Sequence, residues 1–146
     1  MRAAVVISIV LAGCYAGDYS TLTTPFVGMR TNVGCIDVAV AMTDDQTAPG
    51  PIVSYEFGNH CFHQAMIDFT QVRVVATTRD DARQIELQPN DPRGEIKPMQ
   101  LDAWTAGDER IAYDTPYPLE KICVDLGRFD GNRDAAPAWK CLGGKQ

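Results

Sequence analysis

Ile36-Asp37-Val38-Ala39-Val40-Ala41-Met42 and, after a turn, Val53-Ser54-Tyr55-Glu56-Phe57 are the stretches whose reading decides the fold. In the first, Ile36, Val38, Val40 and Met42 share one side of an extended chain, with Asp37, Ala39 and Ala41 on the other. In the second, Val53, Tyr55 and Phe57 alternate with Ser54 and Glu56. A period of two marks a half-buried strand, because successive side chains leave opposite faces of a pleated backbone. Between the two runs stands Thr47-Ala48-Pro49-Gly50-Pro51, a cluster of strand-stopping, turn-forming residues, so the pair reads as a hairpin.

The same pattern continues along the chain. A long run from Met66 to Thr78 places Val72, Val74 and Ala76 on one face, and Ile85 and Leu87 form a short strand halted by Pro89-Asn90-Asp91-Pro92. Ile96, Met99 and Leu101 follow, then Ile111 and Tyr113, and last Ile122, Val124 and Leu126, which makes seven candidate strands. No window carries a sustained i, i+3, i+4 apolar stripe, and turn signals recur about every ten residues. The expected fold is therefore all-β: an antiparallel β-sandwich of immunoglobulin-like topology, with a small closed barrel as runner-up. The Cys, Trp and Cys spacing of antibody domains is missing, since neither Trp104 nor Trp139 is centred between two cysteines.

The first residues have a different character. After Met1-Arg2, the run Ala3 to Ala12 holds only Ala, Val, Ile, Leu and one Ser, too short to span a bilayer as a helix and well sized for a signal-peptide core. It closes on Leu11-Ala12-Gly13-Cys14, which resembles the lipobox of bacterial lipoproteins, in which the cysteine is acylated and the chain is cut before it. The resemblance covers only these first residues. It implies a signal peptide at 1–13, lipidation of Cys14, and a location in the cell envelope anchored to a membrane through lipid. Tyr15, rather than Asp, follows the cysteine, which by the family's sorting rule makes the outer membrane a better address than the inner. From Tyr15 to Val33 the chain is rich in Thr, Gly and small polar residues and reads as a flexible tether of roughly 25 Å mean reach. Phe26, Val27 and Met29 offer a first edge strand as the alternative, and residues 34–146 form a single domain.

With Cys14 lipidated, Cys35, Cys61, Cys123 and Cys141 remain, an even set that reads as two disulfides in an exported chain. Cys35 and Cys61 lie symmetrically about residue 48, inside the Pro-Gly-Pro turn, so a hairpin folded there sets them opposite each other. This favours Cys35 with Cys61 and Cys123 with Cys141. The rival joins Cys35 to Cys123, both of which point away from the apolar faces of their strands.

The whole chain carries 13 Lys and Arg against 19 Asp and Glu; loss of Arg2 with the signal peptide leaves 12 against 19, a formal charge of −7. Scattered cations in an acidic chain exclude duplex nucleic acid as a partner, since that affinity rests on clustered Lys and Arg neutralising phosphates. Anionic headgroups are disfavoured for the same reason, which leaves the acyl chains to hold the membrane.

Catalytic spacing is absent. Beyond the signal peptide the serines are Ser20 and Ser54, neither in a Gly-x-Ser-x-Gly elbow, and paired cysteines leave no thiol nucleophile. His60 and His63 invite a metal reading, but no second cluster supplies the remaining ligands, and a solvated loop after a strand is the simpler account. Asp130, Asn132 and Asp134 place oxygens at alternate positions like the opening of a calcium loop. The likeness then fails at Ala135, where such a loop needs Gly, and at Cys141, where it needs Glu. Trp104, Tyr113 and Tyr117, beside Pro116 and Pro118, are candidates for an exposed aromatic groove. Asp44-Asp45 and Asp80-Asp81 read as solvated loop charges or as a face toward a basic partner.

The expected function is thus a lipid-anchored, non-catalytic binding module without a cofactor, meeting an envelope protein partner. The alternatives are an inhibitor of a secreted hydrolase such as lysozyme or a protease, suggested by the acidic charge, and a calcium- or glycan-binding module.

Overall fold

The computed structural model describes residues 29–43 and 50–143. The expected signal peptide (residues 1–13), Cys14, most of the expected tether and Asp44-Asp45 lie outside them. Ten strands run through the described residues: β1 (Met29–Val33), β2 (Ile36–Thr43), β3 (Ile52–Asn59), β4 (Ala65–Ile67), β5 (Arg73–Thr78), β6 (Gln84–Leu87), β7 (Met99–Leu101), β8 (Ala106–Ala112), β9 (Leu119–Asp125) and β10 (Trp139–Gly143). All neighbours are antiparallel. They form two four-stranded sheets, β1-β2-β3-β8 and β10-β9-β5-β6, and a small pair, β4-β7.

The fold is the expected antiparallel sandwich. The chain crosses from one sheet to the other between β3 and β5, between β6 and β8, and between β8 and β9, a Greek-key path of immunoglobulin type with β1 added outside β2. The β2–β3 hairpin pairs Thr43 with Ile52 and Ile36 with Asn59, so its ladder is centred where the turn residues placed it. Cys35 and Cys61 lie just past the last rung and are bonded to each other. Cys141 faces Cys123 across β10 and β9, and these two form the second bond. Chain-entropy reckoning for loops of 26 and 18 residues gives about 3 kcal/mol of stabilisation each. Disulfides of this kind persist in oxidising compartments outside the cytoplasm. Among the described residues, no helix is long and apolar enough to cross a membrane.

Three expectations need correction. Residues 29–33, assigned to the tether, pair along their whole length with β2; of the alternative edge strand, Met29 lies in this pairing, while Phe26 and Val27 lie outside the described residues. The long run Met66 to Thr78 is two strands separated by a 3-10 turn over Phe69–Gln71. Asp68 caps that turn by accepting from the Thr70 amide, which releases the chain from the ladder and lets Phe69 enter the core. Finally, β10 follows β9, the last strand the alternation predicts; it satisfies the edge of β9, and its only deeply buried side chain is Leu142.

The core lies between the two large sheets. Val38, Tyr55 and Ile111 from one meet Val74 and Ile122 from the other, while Ile67, Leu101 and Phe129 close the remaining openings. Phe57 stands beside Phe69 and Phe129, at ring separations of 5.9 and 5.5 Å. One polar contact sits inside this core: the Tyr55 and Tyr113 hydroxyls are 2.8 Å apart. Burial holds the Tyr55 hydroxyl well above the ordinary tyrosine range and pushes Tyr113 up to about 12, so both stay protonated and each satisfies the other.

Candidate functional site

Where β3 ends and β8 begins, two loops are locked together by one side chain. Asn59 is fully buried, and its Nδ2 donates to the carbonyls of His63, Leu101 and Asp102, each at 3.0 Å. Its Oδ1 accepts from the Cys61 amide at 2.8 Å. The backbone of Asn59 adds two bonds, donating to the Thr105 carbonyl and accepting from the Trp104 amide. The His60 amide donates to the Cys35 carbonyl, beside the Cys35–Cys61 disulfide. Gln64 Nε2 bonds the Asp102 carboxylate at 2.8 Å, joining the loops a second time at the surface. A loop without regular structure thereby has few ways to move.

This frame carries an aromatic platform. Phe62 is 89% exposed and meets the Trp104 ring edge-on, with centroids 5.2 Å apart. The His60 ring also approaches Trp104, with centroids 6.5 Å apart. Trp104 has φ of +64°, the left-handed region that glycine favours and that costs a bulky residue on the order of 1–3 kcal/mol. The Thr105 amide and hydroxyl both donate to the Asp102 carbonyl and close the turn that imposes this conformation. A large apolar side chain kept at a strained, solvent-facing position does not serve the core. Two neighbouring rings turned to water, with the His60 imidazole beside Trp104, are suited to stacking.

The other residues singled out from sequence do not join this site. Tyr113 lies at the far end of β8, roughly 24 Å of strand away, and is buried against Tyr55. Tyr117 is exposed elsewhere, with the Arg83 guanidinium 4.9 Å from its ring centre. The groove expected from Trp104, Tyr113 and Tyr117 together is therefore not formed; only Trp104 belongs to a platform, and its companion is Phe62. Phe62 was missed because a lone phenylalanine beside a cysteine carries no periodic signal. His63 points its Nδ1 to within 3.0 Å of the Gln64 carbonyl, and among the described residues no three His, Cys, Asp or Glu side chains gather to hold a metal. Asp130 and Asn132 each turn a side-chain oxygen onto a backbone amide two residues ahead, as turn residues do. Asp81 accepts from the Thr78 hydroxyl and the Arg83 amide in the β5–β6 turn, and the Thr78 bond first of all holds its carboxyl below the usual range.

No family model and no curated protein matches this chain. The chain is similar in structure to the yjhA protein of Bacillus subtilis, with a TM-score of 0.53 over 82% of this chain and 98% of that one. The sequences are 11% identical, so the likeness is one of fold.

Proposed function

We propose that this protein is a lipid-anchored, non-catalytic binding module of the bacterial envelope, held at the outer membrane through Cys14 and presenting Phe62 and Trp104 to an envelope partner. The observation that carries the reading is the exposed ring pair on a frame braced by Asn59 and a disulfide. Preorganised aromatics lose little conformational freedom on binding, and such residues dominate the energetics of contact surfaces. The apolar run ending at Gly13-Cys14 and the paired cysteines agree with an exported, anchored chain.

Two experiments test it. Intact mass and membrane fractionation, beside a Cys14→Ala variant, should give a wild type that begins at an acylated Cys14 and a variant released from the membrane. A soluble or unprocessed wild type refutes the anchor. Site-specific photo-crosslinking in the envelope should then yield an adduct that disappears in a Phe62→Ser, Trp104→Ser double variant with an unchanged melt. Turnover of an envelope substrate, or an adduct indifferent to both substitutions, refutes the binding module.

A further inference from the structure

The outward face of the β10-β9-β5-β6 sheet is unlike the rest of this acidic molecule. Arg73, Val75 and Thr77 of β5 point away from the core, and the register sets Trp139, Asp125 and Arg73 in one row across three strands. Two open grooves of about 500 and 480 Å³ meet there, sharing Trp139, Arg73 and Glu86. Four cations line them: Arg73, Lys121, Arg128 and Arg133. Of the two carboxylates, Glu86 is engaged by Arg73 at 3.0 Å, and Asp125 is buried, accepting from the Gly127 and Ala138 amides. Lys121, Arg128 and Arg133 make no ion pair among the described residues. In a chain of formal charge −6, this is a local surplus of positive charge over a concave surface, an arrangement that draws in anions.

We infer that this face is a binding site for an acidic polysaccharide, with the carboxylates of successive sugars meeting Arg128, Arg133 and Lys121 and a sugar ring lying on Trp139. Length is the first reason. The two grooves share Arg73, Glu86 and Trp139, so their linings together reach from Thr77 and Lys121 to Arg128 and Arg133, more surface than a single small anion needs. Lining is the second: between the charges stand Gln71, Thr77, Gln84 and Gln88, donors and acceptors suited to sugar hydroxyls, and the Trp139 ring is 40% exposed in the middle. An acidic peptide fits less well. Peptides gain affinity by adding a strand to a sheet edge or by filling apolar pockets, whereas Arg73, Thr77 and Lys121 stand on β5 and β9, the inner strands of this sheet, whose backbone groups are already engaged on both sides. The guanidinium fork accepts a carboxylate through two parallel bonds, which favours carboxylated sugars over neutral ones.

The test uses the full chain carrying Trp104→Phe, so that Trp139 is the remaining indole, and hexameric oligogalacturonate as the probe. Saturable quenching of Trp139 is expected, weakened by salt and absent with the fully methyl-esterified hexamer. The Arg128→Gln, Arg133→Gln double variant should bind about tenfold more weakly or worse while melting like its parent, since both side chains are exposed. Phe62→Ser should leave the sugar affinity unchanged, which separates this site from the aromatic platform. Quenching that does not saturate at millimolar sugar, equal affinity in the double variant, or equal binding of hexaglutamate each overturns the inference.

Discussion

Replacing Asn59 by Ala removes the side chain that ties the two platform loops together, and its effect follows from the bonds it makes. The Nδ2 has two protons for three carbonyls, so one proton is shared, and the Oδ1 bond to Cys61 brings the total to three full hydrogen bonds. At about 1 kcal/mol net each, with up to about 1 kcal/mol more for buried backbone groups left without a partner, Asn59→Ala should cost roughly 3–4 kcal/mol. For a domain of this size that is a fall in Tm of about 10–20 °C. Urea unfolding followed by intrinsic fluorescence reads the loss directly. Asn59→Asp is the sharper control, because it keeps the shape and the acceptor but sets a carboxylate against three carbonyl oxygens. It should be less stable than Asn59→Ala at neutral pH and should recover on acidification. The folded state then prefers the protonated acid, so its pKa is raised above the reference of about 3.9; that stability is fully present below the reference and is lost as pH rises through the folded value. An Asn59→Ala loss below about 1 kcal/mol, or an Asn59→Asp variant as stable at neutral as at acid pH, refutes the assignment of Asn59 as the brace.

Tyr55→Phe and Tyr113→Phe should each cost about 1–2 kcal/mol in urea, because each strands the other hydroxyl in the core, and the double variant should cost less than the sum of the two. In the wild type, stability should fall above about pH 10, where the unfolded tyrosines ionise while Tyr113 holds its proton to about 12; a flat alkaline profile refutes the buried pair. Trp104→Gly should leave the melt unchanged or raise it by up to about 1 kcal/mol, since glycine relieves the positive φ and little core is lost, while partner contact is lost; a loss of 3 kcal/mol or so, as at a core position, refutes a platform role. Ala82→Gly, at φ of +53° in the β5–β6 turn, should stabilise the chain by about 0.5–1 kcal/mol in the same assay, and a destabilised variant refutes strain at that turn.

Much of the architecture is legible in the sequence. Alternation over 36–42 and 53–57 identified strands, because burial of one face imposes a period of two whatever the sheet order, and the proline-glycine cluster centred the hairpin. The hairpin centre in turn favoured Cys61 as the partner of Cys35 over the rival Cys123, and the folded chain joins the favoured pairs. The broken run at Phe69 was not legible, since a ring buried from a 3-10 turn looks the same in sequence as one buried from a strand; contact with Tyr55 and Phe57 makes the difference. Nor was β10, whose Trp139-Lys140-Cys141-Leu142-Gly143 has a strand's identity only because β9 offers it an edge. The same holds for function. Phe62 and Trp104 stand 42 positions apart and meet only because Asn59 joins their loops, just as Arg73, Lys121, Arg128 and Trp139 converge only because β5, β9 and β10 are neighbours. Local pattern determines which faces are buried; the pairing of distant strands decides which exposed residues share a surface.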